Sequence, residues 1–426
     1  MDVLFGLASS SDRRPDQARS HRDCGRPWDW WSLKIKIVGA GLLAKAVDQS
    51  TSLLNVLASS RASPLPQFCR IMAGLGGVSG DVFGGARELL IRWQGALFLL
   101  LGALSGCGNS DTLETFGGPT MGSTYSIKYV RHAGLPAPDE VRVQVERILA
   151  DVDRQMSTYR SDSDIERFNA LPANRCQAMP ASILELVRVG EQLSVQSEGS
   201  YDLTVEPLLN LWGFGPQARE EKVPTAEALA EARQRVGHQH LRIDGDTLCK
   251  DAAVEVDFNS IAAGYAVDTI AARLEAMGIH DYLAEATGEL KASGKKADGS
   301  PWRIALEEPR DDRQVAERVI VVDGYGLSTS GDYRNYFEQD GQRFSHTFDA
   351  RTGSPVSHTL ASVTVIHPSA LMADGLSTLL LILGPERGWD YAEKHDIGAF
   401  FVIRADTGFV TRSSHAFERL SGKKTE

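Results

Sequence analysis

The chain has 426 residues, 45 Lys and Arg against 56 Asp and Glu, and a net charge of −11. With no long Lys/Arg block, that balance argues against a nucleic-acid partner, and five cysteines without a Cys-x-x-Cys or His/Cys cluster argue against zinc and iron–sulfur sites. The length would hold two or three average domains, but the composition changes too sharply along the chain for one globule.

Residues 1 to about 85 are rich in Ser, Arg, Gly and Ala, carry Trp28, Trp30 and Trp31, and show no sustained helical or alternating period, so a poorly ordered extension is expected. From Arg87 to Cys107 a basic flank leads into a short apolar run, Gly95 to Leu104. This run is too short to cross a bilayer of ~30 Å, which takes about 20 helical residues, and suits a signal-peptide core. Leu104-Ser105-Gly106-Cys107 resembles a lipobox, which implies cleavage before Cys107 and acylation of its thiol. A secretory signal works near a chain start, so translation from Met72 is expected. The expected organisation is an extension (1–85), a lipoprotein signal (86–106), a lipid-anchored linker (107–118) and one catalytic domain (119–420). The protein would sit on the periplasmic side of the cell inner membrane. Export allows the two remaining cysteines, Cys176 and Cys249, to pair; the sequence leaves their pairing open.

Tyr125, Ile127 and Tyr129 alternate with Ser126 and Lys128 and predict a strand with one buried face. Val141, Val145, Ile148, Leu149, Val152 and Met156 predict a long amphipathic helix, with Asp139 as its cap. Helices are expected near 181–197 and 225–236. Residues 156–165 and 199–208 read as loops, the second closed by a Trp212-Gly213-Phe214-Gly215 turn. A short strand, Val254–Asp257, is expected to run into a helix from Ser260 to Met277. Further strands are expected near 281–286, 303–307, 318–322, 361–366 and 399–404, a hairpin at 337–344, and helices near 369–383 and 385–395. Mixed strands and helices without a βαβ repeat predict an α+β fold.

In the helix near 369–383, Met372, Leu376, Leu379, Leu380 and Leu383 form an apolar stripe, and Asp374 and Thr378 lie together on the other side. A carboxylate and a hydroxyl one turn apart offer the hard oxygens that Mg²⁺ takes, or an ordinary solvated face. Asp257-Phe258-Asn259-Ser260 lies where a helix begins, so Asp257 and Ser260 either cap it or border a phosphate site at its N-terminus. His346, in a polar turn, is either structural or a general base near pH 7. Glu285 to Leu290 and Ser328 to Tyr336 read as Gly-containing loops suited to a flat ring or a phosphate, or as polar turns. No Walker or Rossmann glycine motif opens a helix in the mature part.

Taken in order, Met121-Gly122-Ser123-Thr124-Tyr125, Met156-Ser157-Thr158-Tyr159, Tyr201-Asp202-Leu203-Thr204, Trp212-Gly213-Phe214-Gly215, Asp257 through Asp268, Thr329 through Tyr336, Ser345 through Pro355 and Ala373-Asp374 through Thr378 resemble the ApbE-type FAD:protein FMN transferase family over nearly all of residues 119–412. The resemblance implies a T-fold-like α+β domain with mixed or antiparallel sheets. It implies FAD as substrate, contacted by Met121, Tyr159, Ser200, Tyr201, Asp202, Asp257, Ala263, Gly288, Glu289 and Phe348. Ser260, Asp374, Ser377 and Thr378 would hold Mg²⁺, and His346 would deprotonate an acceptor Thr or Ser that attacks the FMN-side phosphorus, releasing AMP. The implied acceptor is a membrane electron-transfer or sodium-pump subunit. Alternatives are a Mg²⁺-dependent FAD pyrophosphatase giving FMN and AMP, and a non-catalytic FAD-binding lipoprotein. The sequence departs from the family pattern at Ala263, where a lysine is usual, at Thr287, where a glycine is usual, and at Ala350.

Overall fold

The computed structural model describes residues 111–218, 220–310, 315–333 and 335–422, with the backbone of Lys45–Ala46. The expected signal at 86–106 and the expected acylation site Cys107 lie outside these residues. In the extension, Lys45 and Ala46 pair antiparallel with Ala305 and Ile304, so this point of a segment read as structureless adds a two-residue edge.

The central sheet follows chain order: β1 (Thr112–Thr120), β2 (Ser123–Arg131), β3 (Tyr282–Ala286), β4 (Glu289–Ser293), β5 (Tyr325–Gly331), β6 (Leu360–His367), β7 (Gly398–Arg404) and β8 (Phe409–Ser413). Each strand pairs antiparallel with the next. Most other elements are carried on the connections of this meander. Between β2 and β3 come α1 (Pro138–Met156), α2 (Asp164–Asn169), α3 (Ala181–Gln196), α4 (Glu206–Trp212), α5 (Ala226–Arg233) and α6 (Ala262–Ala276); α7 (Ala370–Lys394) joins β6 to β7, and α8 (His415–Leu420) follows β8. The expected α+β class is observed, and the sheet itself is antiparallel.

Strand alternation divides the core. Tyr282 and Ala284 join Ile127, Tyr129, Val363 and Val365 on the face covered by α1, α6 and α7. Leu283 points the other way, with Leu290, Leu327, Phe400 and Val402, onto a hairpin of strands 302–307 and 316–322. On α1 the predicted stripe Val141, Val145, Leu149, Val152 and Met156 is buried, each side chain contributing about 1.5–3 kcal/mol.

Several short elements differ from expectation. The segment read as a linker supplies β1, an edge strand, from Thr112 onward. Helices α2 and α4 replace parts of two expected loops, and the Gly213 end of α4 is left-handed, with φ 98°. Residues 254–257 form only a Val205–Glu255 bridge, and α6 starts at Ala262 rather than Ser260. The cap of α1 is Ala137 followed by Pro138, not Asp139, because proline's fixed φ suits the first helical position. The two helices expected around 384 form α7, which kinks at Gly384 (φ 81°) before Pro385. Cys176 and Cys249 are joined by a disulfide between paired strands 175–178 and 247–250.

The contact between α6 and α7 positions the residues discussed below. A Cβ on Gly264 would lie 2.4 Å from the Ala370 carbonyl oxygen and 2.7 Å from Asp374 Cβ, so only glycine lets the helices approach this closely. Gly264→Ala gains about 1 kcal/mol of helix propensity, but the clash is with backbone and forces the helices apart. Chemical denaturation is expected to show a net loss of about 1–3 kcal/mol for Gly264→Ala; an unchanged midpoint would contradict the close packing.

Candidate functional site

Beside this contact opens a cleft with a cavity volume of ≈ 130 Å³. On its α7 wall, Asp374 Oδ2 accepts a 2.9 Å hydrogen bond from the Gly264 N–H. That N–H belongs to the first turn of α6, which has no side-chain cap, so a buried carboxylate sits at the positive end of a helix. Burial, and then the nearby Glu289 carboxylate, push the Asp374 carboxyl well above its ordinary value. Burial also raises Glu289.

Hydroxyl groups surround the pair. Ser328 Oγ lies 3.5 Å from Glu289 Oε1 and 3.5 Å from Asp374 Oδ1. Ser330 Oγ lies 3.0 Å from Thr378 Oγ1 and 2.9 Å from Ser377 Oγ. No lysine or arginine lines the cleft among the described residues. Two carboxylates that each disfavour the other's ionised form, set among hydroxyls with no basic side chain, make a donor set suited to a hard divalent cation.

His346 lines the cleft. The Asn335 carbonyl oxygen accepts from both the backbone N–H of His346, at 3.1 Å, and its ring Nδ1, at 3.2 Å. A carbonyl can only accept, so Nδ1 carries the proton and Nε2 keeps its lone pair. Burial holds the imidazole below its ordinary pKa, leaving it neutral, and able to accept a proton, at pH 7.

Elsewhere on the lining, Tyr201 Oη and Ser260 Oγ are 2.8 Å apart. Asp202 uses one oxygen to tie its own loop, accepting from Thr204 N and Oγ1, and the other to accept from the distant His238 N. Asp257 accepts from Asn259 N and Nδ2, and burial lifts it to about 6. Neither Asp257 nor Ser260 therefore caps α6. Phe348 sets its ring edge-on to Phe214, with centroids 6.0 Å apart.

The structure thus gathers Tyr201, Asp202, Asp257, Ser260, Ala263, Glu289, His346, Phe348, Asp374 and Thr378 around one cavity. It sets five expected residues apart. Ser377 is fully buried behind the wall, donating to the Asp374 carbonyl and bonded to Ser328 and Ser330, so it braces the cation-suited group rather than facing it. Ser200 is buried, with its Oγ unpartnered among the described residues. Tyr159 is 48% exposed, near enough to Asp257 and Glu206 that burial and their charge raise its phenol. Met121 (φ 44°) and Gly288 (φ 116°) lie in the tight turns joining β1 to β2 and β3 to β4.

Asp374 was expected on a polar helix side that could face solvent; it is 4% exposed, because α7 is packed all round before its kink and the polar side faces the α6 terminus. Sequence reasoning missed Ser328 and Ser330, which belong to strand β5 rather than a loop. Their i, i+2 spacing is a signal that both point to one side.

The ApbE family model matches residues 121–401. The chain is 42% identical over 333 residues to the FAD:protein FMN transferase of Vibrio cholerae, covering 78% of this chain and 99% of that protein. It is 41% identical over 330 residues to the protein of the same name in Haemophilus influenzae, covering 76% and 95%. A solved structure, the flavinyl transferase ApbE of Pseudomonas stutzeri in its apo form, matches with a TM-score of 0.70 at 59% identity, covering 74% of this chain and 98% of that one.

Glu206, at the start of α4, is fully buried, and burial followed by Asp257 raises its carboxyl from 4.5 to about 9. A raised folded-state pKa means the native state holds the proton more tightly, so stability falls as pH rises from 4.5 through about 9. Glu206→Gln removes that slope. Melting temperatures across this window should show the variant gaining on the parent as pH rises; parallel curves would contradict the assignment.

Proposed function

The chain belongs to the ApbE family, and from that premise we propose that it transfers the FMN half of FAD to a threonine or serine hydroxyl of an acceptor protein, releasing AMP. The observation that carries this is the pairing, in one cleft, of a neutral histidine with a carboxylate–hydroxyl wall that has no lysine or arginine among the described residues. FAD brings a diphosphate to a lining that already holds Asp257, Glu289 and Asp374, a crowding of acidic groups that a bound divalent cation would relieve.

The acceptor hydroxyl loses its proton to His346 Nε2 as its oxygen bonds to the FMN-side phosphorus. The bond from that phosphorus to the bridging oxygen breaks, and AMP leaves with that oxygen. Asp374 and Thr378, with Ser260 on the same lining, are the residues that would hold Mg²⁺, which when bound would draw charge from the non-bridging phosphate oxygens. Phe348 and Tyr201 offer the aromatic surface a flavin or adenine needs.

For location, we read a lipoprotein held by Cys107 at the periplasmic side of the inner membrane, beside a membrane acceptor of the electron-transfer or sodium-pump kind. The Cys176–Cys249 disulfide supports this, because such bonds persist in oxidising compartments.

The test incubates purified protein with FAD, Mg²⁺ and a threonine-bearing acceptor domain. Covalently fluorescent acceptor is expected; free FMN would indicate hydrolysis instead, and unchanged FAD a binding protein. His346→Ala should slow transfer by about 10²–10⁴-fold while FAD binding persists; wild-type turnover in that variant would remove the base assignment.

A further inference from the structure

Thr287 occupies a position its backbone does not suit. It is the first residue of the two-residue turn between β3 and β4 and sits at φ 57°, followed by Gly288 at φ 116°. Turns of this kind need both central residues left-handed, which glycine and asparagine accept and a β-branched residue adopts only at a cost. The turn is not loose. Thr287 is 8% exposed, and its N–H donates to the Thr124 carbonyl on neighbouring β2 at 2.9 Å.

The hydroxyl shows what the strain secures. Thr287 Oγ1 donates to Glu289 Oε2 at 2.8 Å. With Oε2 tied, the other oxygen, Oε1, is the one 3.5 Å from Ser328 Oγ, the same hydroxyl that lies 3.5 Å from Asp374 Oδ1. Glu289 is nearly fully buried and has no lysine or arginine beside it on the cleft lining among the described residues. Without Thr287, its carboxylate could rotate away from Asp374.

We propose that Thr287 is a positioning residue whose hydroxyl turns Glu289 toward Asp374, so that two carboxylates rather than one face a divalent cation. This rests on the reading above that the cleft takes such a cation, and it adds Glu289 and Thr287 to the residues that govern cation affinity.

The test titrates the full-length protein with Mn²⁺, as a paramagnetic stand-in for Mg²⁺, in the presence of FAD, and follows free Mn²⁺ by electron paramagnetic resonance. Thr287→Gly relieves the backbone and removes the hydroxyl. Its metal-free melting temperature should equal or exceed the parent's, while Mn²⁺ binding weakens about tenfold or more, the usual scale for losing a group that orients a metal ligand. Thr287→Val, which keeps the shape, should share the loss, and Thr287→Ser should restore affinity to within about twofold. Parental Mn²⁺ affinity in the Gly and Val variants would overturn the role of Thr287 while leaving the cation reading standing. Absence of Mn²⁺ binding by the parent itself would overturn both.

Discussion

Gly264 lacks the Cβ that would strike the Ala370 carbonyl, and its N–H donates to Asp374 Oδ2 at 2.9 Å. From this contact the rest of the cleft follows. With α6 and α7 in close contact, a carboxylate is buried at a helix N-terminus whose own cap residue supplies no side-chain hydrogen bond, so the Gly264 amide partly compensates a charge that burial would otherwise suppress. The same packing sets Thr378, one turn along α7, beside Ser330 of β5.

Charge balance then decides what chemistry the cleft suits. A lining with several carboxylates and no basic side chain among the described residues is a poor receptor for a bare diphosphate. It is a good receptor for a diphosphate that arrives with a divalent cation. In the proposed reaction, little covalent machinery is needed, because phosphoryl transfer depends chiefly on alignment and charge neutralisation. His346 supplies the remaining requirement, a base whose free nitrogen is fixed by the Asn335 carbonyl.

Legibility from sequence followed the length and periodicity of each element. Helices α1, α3 and α7 and half the strands of the meander, β2, β3, β6 and β7, were visible because their buried faces repeat at 3.6 or 2 residues or run continuously apolar. Strand β1 was hidden by Gly117-Gly118-Pro119, which reads as turn chemistry, yet an edge strand tolerates proline, and a Cβ on Gly117 would lie 2.5 Å from the Tyr125 carbonyl across the pair. Strand β5 was hidden because its buried face is made of hydroxyls whose partners lie on α7. The site residues were recognisable as motif members, and most converge. Their roles were less legible. Asp202 spends one oxygen on its own loop and the other on the backbone of His238. Ser377 braces the wall, and Asp374 depends on an amide 110 residues away, a distance no local pattern reveals.

The central claim is that FAD and a divalent cation occupy the cleft together through Asp374. Calorimetric titration of FAD into the full-length protein, with Mg²⁺ or with a chelator, tests it most directly, because linked binding must strengthen both ligands equally. The account predicts that chelation weakens FAD binding about tenfold or more and that Asp374→Asn abolishes the difference between the two media. Equal FAD affinity with and without Mg²⁺ in the parent protein would contradict it.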